Sequence, residues 1–75
     1  MRKLYEIAND IQRNWKNVYF GAVPYLKAMH SLSSINDYYG DDSARSTVLY
    51  FLGNTSYWRG DDARRIKTEL KAMLK

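Results

Sequence analysis

The chain has no cysteine, one proline, one histidine and four glycines in 75 residues. Without cysteine there is no disulfide staple, no thiolate nucleophile and no route to most structural zinc sites. A lone imidazole, His30, leaves little material for metal or acid–base chemistry. Long apolar runs are also absent. Nothing approaches the roughly 18 consecutive apolar residues of a membrane-spanning helix. The opening MRKLYEIANDIQ is basic, then carries Glu6 and Asp10, and no apolar signal-peptide core follows it. The expected location is therefore the cytoplasm. Acids are the scarcer charge, eight against twelve Lys and Arg, for a formal net charge of +4. That bias favours anionic partners without requiring one.

What is present is apolar and aromatic. Hydrophobic residues make up 45% of the chain, which is normal for a folded domain and argues against disorder. Seven of the aromatics are tyrosine. Large rings give a small core large packing units. A chain of this length without staples forms one domain, here 1–75, held by packing or by self-association, so a homodimer is compatible with it.

The stretch DSARSTVLYFLG, 42–53, organises the rest. At helical spacing Ala44, Val48, Phe51 and Leu52 share a face, and Leu49 and Tyr50 widen it. A helix apolar around most of its circumference needs neighbours on several sides. Asp42 or Ser43 can cap its start, and Gly53-Asn54 tolerates the left-handed conformation that stops a helix. Before it, Leu4, Ile7, Ala8, Ile11, Trp15 and Val18 recur at three- and four-residue steps, predicting a helix over 4–18. Pro24 suits a first helical turn. Tyr25, Ala28, Met29, Leu32, Ile35 and Tyr39 continue in phase and predict a helix over 24–39. Ser33-Ser34 marks the point where that helix would weaken or kink. A last helix is expected over 61–74, with Ala63, Ile66, Leu70, Met73 and Leu74 inward. The expected fold class is all-α, a small four-helix domain with a central apolar third helix. Its core would hold Leu4, Ile7, Ile11, Trp15, Leu26 or Met29, Leu32, Ile35, Val48, Phe51, Leu52, Ile66, Leu70 and Met73.

Two passages echo each other: Gly40-Asp41-Asp42-Ser43-Ala44-Arg45 and Gly60-Asp61-Asp62-Ala63-Arg64. Each reads as a glycine turn followed by acids at a helix start, where the dipole favours them. That structural role outweighs a metal or acid–base role for the paired aspartates. No phosphate-binding glycine loop or nucleophile elbow occurs. Neither a catalytic residue, a metal nor a cofactor is expected.

Two surfaces remain. The last thirteen residues, ARRIKTELKAMLK, hold five basic groups and one acid, so the surplus charge lies there. Arg64, Lys67, Lys71 and Lys75 recur at helical spacing and are the expected contacts to an anionic partner, while Arg65 and Glu69 can pair at i,i+4. The aromatic residues Tyr19, Phe20, Tyr38, Tyr57 and Trp58 fall at helix ends and connections and make a candidate partner surface.

The segment ARSTVLYFLGNTSYWRGDDARRIKTELKAML, with SSINDYYGDDSAR before it, resembles small uncharacterised proteins carried by bacteriophages and prophages. The pattern Val48-Leu49-Tyr50-Phe51-Leu52 and Trp58-Arg59-Gly60 carries the resemblance. It implies a mobile-element origin and a bacterial cytoplasm, and it assigns no functional residue. The function expected from the whole chain is that of a non-enzymatic helical interaction protein binding another protein. The alternative is a weak, non-specific nucleic-acid binder acting through the basic C-terminal helix.

Overall fold

The first helix, α1, runs from Leu4 to Asn14 and stops short of the expected Val18. Two local interactions end it. The Asn14 amide donates to the Asp10 carbonyl at 2.9 Å and to Asp10 Oδ1 at 2.7 Å, competing with the backbone for the last turn. Trp15 then turns extended. Its indole leaves the helical stripe, stacks on Trp58 at 5.0 Å and meets Phe51 edge-on at 6.2 Å. Burying two indoles against each other outweighs one more turn of helix. These contacts come from a computed structural model, which describes residues 2–75.

After a turn through Gly21, α2 spans Val23–Met29, with Pro24 in its first turn. It ends ten residues before the expected 39 and four before Ser33-Ser34, where the sequence places the weak point. The physical reason lies at the other end of α1. The Leu32 and Ser33 carbonyls accept from the Tyr5 and Leu4 amides at 2.9 and 3.0 Å. Those are among the N–H groups that a helix start leaves without intrahelical partners. Asp37 fixes the turn by accepting from both the Ser33 and Ser34 amides at 2.9 Å.

The chain then makes a two-stranded antiparallel ribbon, β1 (Tyr38–Tyr39) with β2 (Asp42–Ser43), in the register Tyr38 to Ser43 and Tyr39 to Asp42. Gly40 sits in the turn at φ 62°, a left-handed conformation that glycine adopts without strain. The fold is thus four helices plus a small ribbon, mostly helical but not all-α. The echo between the two glycine–acid passages is also only partial. Gly40-Asp41 turns a hairpin, whereas Gly60 directly precedes the final helix.

Helix α3 spans Ala44–Leu52 and is capped by Ser43, whose hydroxyl accepts from the Ser46 amide at 3.0 Å. Gly53 is right-handed, contrary to expectation. Side chains end this helix instead: Thr55 donates to the Leu52 carbonyl at 2.7 Å and Asn54 to the Tyr50 carbonyl at 2.8 Å. α3 buries one face, Ala44, Thr47, Val48 and Phe51, while Leu49 and Tyr50 are each 58% exposed. It packs on α2; the helices with helical neighbours on two sides are α2, which lies against α3 and α1, and α1, which lies against α2 and α4 (Asp61–Met73). The expectation of a third helix surrounded by neighbours is corrected accordingly.

The core matches most of the expected residues, Leu4, Ile7, Ile11, Trp15, Leu26, Met29, Leu32, Val48, Phe51, Ile66, Leu70 and Met73. Ile35 and Leu52 are only partly buried against it. Trp58 joins the core unexpectedly, with several alanines that let the helices approach.

Candidate binding surfaces

Buried charge settles the role of one cluster. Asp10 is only 7% exposed. It accepts from Arg2 at 2.9 Å, from Arg65 at 3.0 Å and from Asn14. Arg2 also pairs with Glu69 at 2.6 Å, and Arg65 with Asp62 at 3.1 Å. The Arg65–Glu69 pair suggested by spacing is therefore replaced by the long-range pairs Arg65–Asp10 and Arg2–Glu69, with Arg65–Asp62 local to α4. Hydrogen bonding from Arg65, opposed by desolvation and reinforced by Arg2, holds the Asp10 carboxyl below its ordinary range. The cluster ties the start of the chain and α1 to α4. With its acceptors engaged by neighbouring cations and an amide, it is a structural staple.

The basic residues of α4 divide. Arg64, Lys67 and Lys71 line a groove of about 300 Å³ together with Trp58, Gly60, Ala63, Thr68 and a residue not anticipated, Arg59. Lys75, at the end of the chain, is not part of that groove. No acidic side chain is among the lining residues. Lys67 is anchored: its ammonium donates to the Thr55 and Trp58 carbonyls at 2.7 and 2.6 Å and lies 5.9 Å from the centre of the Trp58 ring. Burial, with the nearby charges of Lys71 and Arg59, lowers its pKa. Arg64 reaches Asp61 at 3.7 Å across solvent, a weak tie. Arg59 escaped notice because it precedes the helix. Its signal is its place beside Gly60, five residues before Arg64.

The candidate aromatic surface is only partly assembled. Trp58, at 4% exposure, is a core residue and is not presented to a partner. Tyr19 contacts Phe20 at 4.7 Å and Tyr57 at 5.7 Å, and both Phe20 and Tyr57 are 79% exposed. Tyr38 stands apart in the ribbon and is exposed. A second tyrosine group replaces the missing part. Tyr25 on α2 and Tyr50 on α3 lie 5.7 Å apart, and with Tyr39 they line a groove of about 280 Å³ between α2, α3 and the ribbon. Asp42 is the charged residue in its lining. This groove was hidden in the sequence because Tyr39 read as part of a helix.

Among the described residues, no three His, Asp or Glu side chains gather as a metal site would need. Among the same residues, no helix is long and apolar enough to cross a membrane. His30 caps the end of α2, half-buried at the rim of the core. Comparison with protein-family models, with curated proteins and with solved structures finds no match to this chain.

Proposed function

We propose that the protein is a small, non-enzymatic helical interaction module that binds another protein through the tyrosine groove between α2, α3 and the ribbon. The observation that carries this reading is the aromatic lining of Tyr25, Tyr39 and Tyr50 on three different elements. Aromatic side chains of this kind supply large contact area at low cost in conformational entropy, and they dominate interface energetics. The partner's chemistry follows from the lining. A short segment with a proline or aliphatic side chain would sit between the rings, and a neighbouring Lys or Arg would meet Asp42. A phage or prophage origin and a bacterial cytoplasm belong to the same reading, supported by the resemblance over most of the chain.

Selection from a displayed random-peptide library tests it. Enriched peptides are expected to share an apolar residue next to a basic one, to lose binding to Tyr50→Ser, and to bind Asp42→Asn more weakly. Tyr50 is exposed on α3, so its replacement leaves the core untouched. Enrichment that is equal on Tyr50→Ser, or no enrichment at all, would overturn the assignment.

A further inference from the structure

The α4 groove shares no lining residue with the tyrosine groove, and its chemistry is different. Arg59, Arg64, Lys67 and Lys71 converge on one concavity without an acid in its wall. Burial first, and then the charges of Lys71 and Arg59, disfavour the charged form of Lys67, so the groove holds like charges together. Like charges held together, with only the solvent-exposed Asp61–Arg64 contact to offset them, are the arrangement that an anionic ligand relieves. Lys67 is also pre-positioned by two backbone carbonyls, so it loses little freedom when an anion takes its remaining N–H.

The aromatic residues identify the anion. Trp58 turns inward and is buried, while its neighbours Tyr57 and Arg59 on either side are both exposed. Tyr57 adjoins Tyr19, which adjoins Phe20. A row of aromatic faces thus begins two residues from the groove's first arginine. Acidic peptides have no flat face to offer such rings, whereas every nucleobase does. A duplex keeps its bases stacked inside, where exposed rings cannot reach their faces. Basic residues at three- and four-residue steps along α4 stand about 5–6 Å apart, a spacing suited to one backbone followed along the helix.

We infer that the groove between Trp58 and α4 binds single-stranded nucleic acid, with Arg59, Arg64, Lys67 and Lys71 on phosphates and Tyr57 and Phe20 as stacking platforms for the bases. Asp61 opposes this binding by holding Arg64. With four phosphate contacts the affinity falls with salt at a log–log slope of about −3 for a single strand.

Fluorescence anisotropy with a labelled twelve-nucleotide oligothymidylate tests the inference, with a duplex of the same length and a polyglutamate peptide as competitors. Expected are a slope of about −3, a loss on the order of tenfold for Tyr57→Ala, a larger loss for Arg64→Gln/Lys71→Gln, and a gain for Asp61→Asn. All four positions are exposed, and circular dichroism melts verify that each variant is folded. The gain from Asp61→Asn is an effect that mere damage to the fold would not produce. A duplex bound as tightly as the single strand, polyglutamate bound in its place, or an unaltered affinity in Tyr57→Ala would each overturn the inference. The peptide selection on Tyr50 reads a different surface, so the two assignments fail separately.

Discussion

Asp10 is the residue whose chemistry reaches furthest across the molecule. Its carboxylate faces Arg2 and Arg65, 8 and 55 residues away along the chain. Both arginines are partly exposed, which tempers the strength of each pair. Asp10→Asn keeps the shape and removes the charge, leaving the two guanidiniums without their shared anion. The expected cost near neutral pH is about 2 kcal/mol, or a melting temperature lower by roughly 10 °C in a domain of this size. The pH dependence has a definite sign. A carboxyl whose folded pKa is depressed stabilises the fold fully above its unfolded value, near 3.9. That contribution is lost as the pH falls from there through the lower folded value. The gap between parent and Asp10→Asn in urea-derived stability should therefore be widest above about pH 5 and close on acidification. Asp37, held low by the Ser34 and Ser33 amides, keeps some acid sensitivity in the variant. A gap that stayed constant from pH 7 to pH 2 would show that the Asp10 charge is not what the arginines hold.

At the scale of elements, periodicity carried as far as each helix is locally determined. Leu4, Ile7 and Ile11, and Ile66, Leu70 and Met73, were legible because a helix writes its buried face into its own spacing. The boundaries were not, because each depends on a distant partner. Trp15 leaves α1 for Trp58, and Leu32 and Ser33 forgo helix to serve the start of α1. The ribbon was missed because two-residue strands leave too little alternation to detect, and Tyr39 happened to fall in phase with α2. The candidate sites were legible to the same extent. Arg64, Lys67 and Lys71 were visible on one helix, whereas Arg59, the tyrosine groove and the burial of Trp58 needed the fold. Ser43 tests the local part of this account. Its hydroxyl satisfies the Ser46 amide at the start of α3, which has no acid in its first turn to share that role. Ser43→Ala should cost about 1 kcal/mol, seen as a melting point lower by about 5 °C with an unchanged urea m-value. A melting point equal to the parent's would mean that the hairpin alone sets where α3 begins.

For the whole molecule, the decisive contact is the one that closes the two halves on each other. Trp15 ends the first helical segment, Trp58 precedes the last, and Phe51 from α3 meets Trp15 in the same cluster. A domain of 75 residues has a total stability of only about 4–11 kcal/mol. Replacing a buried tryptophan by alanine removes about 3–5 kcal/mol. Trp58→Ala should therefore lower the melting temperature by about 15 °C or more, with a shallower transition as the groove-side carbonyls holding Lys67 lose their support. The same cluster bears on assembly. The large aliphatic and indole side chains of the core are buried within one chain, and the exposed aromatics are mainly tyrosines, spread over two separate groups with Tyr5 and Tyr38 outside both. A dimer that completed an unfinished core would instead leave its apolar residues uncovered in the single chain. The expected species is thus a monomer of 8.8 kDa, with a melting temperature that does not move across a hundredfold range of protein concentration. A melting point that rises with concentration, together with a doubled mass in light scattering, would show that the tyrosine groove is closed by a second copy of the chain.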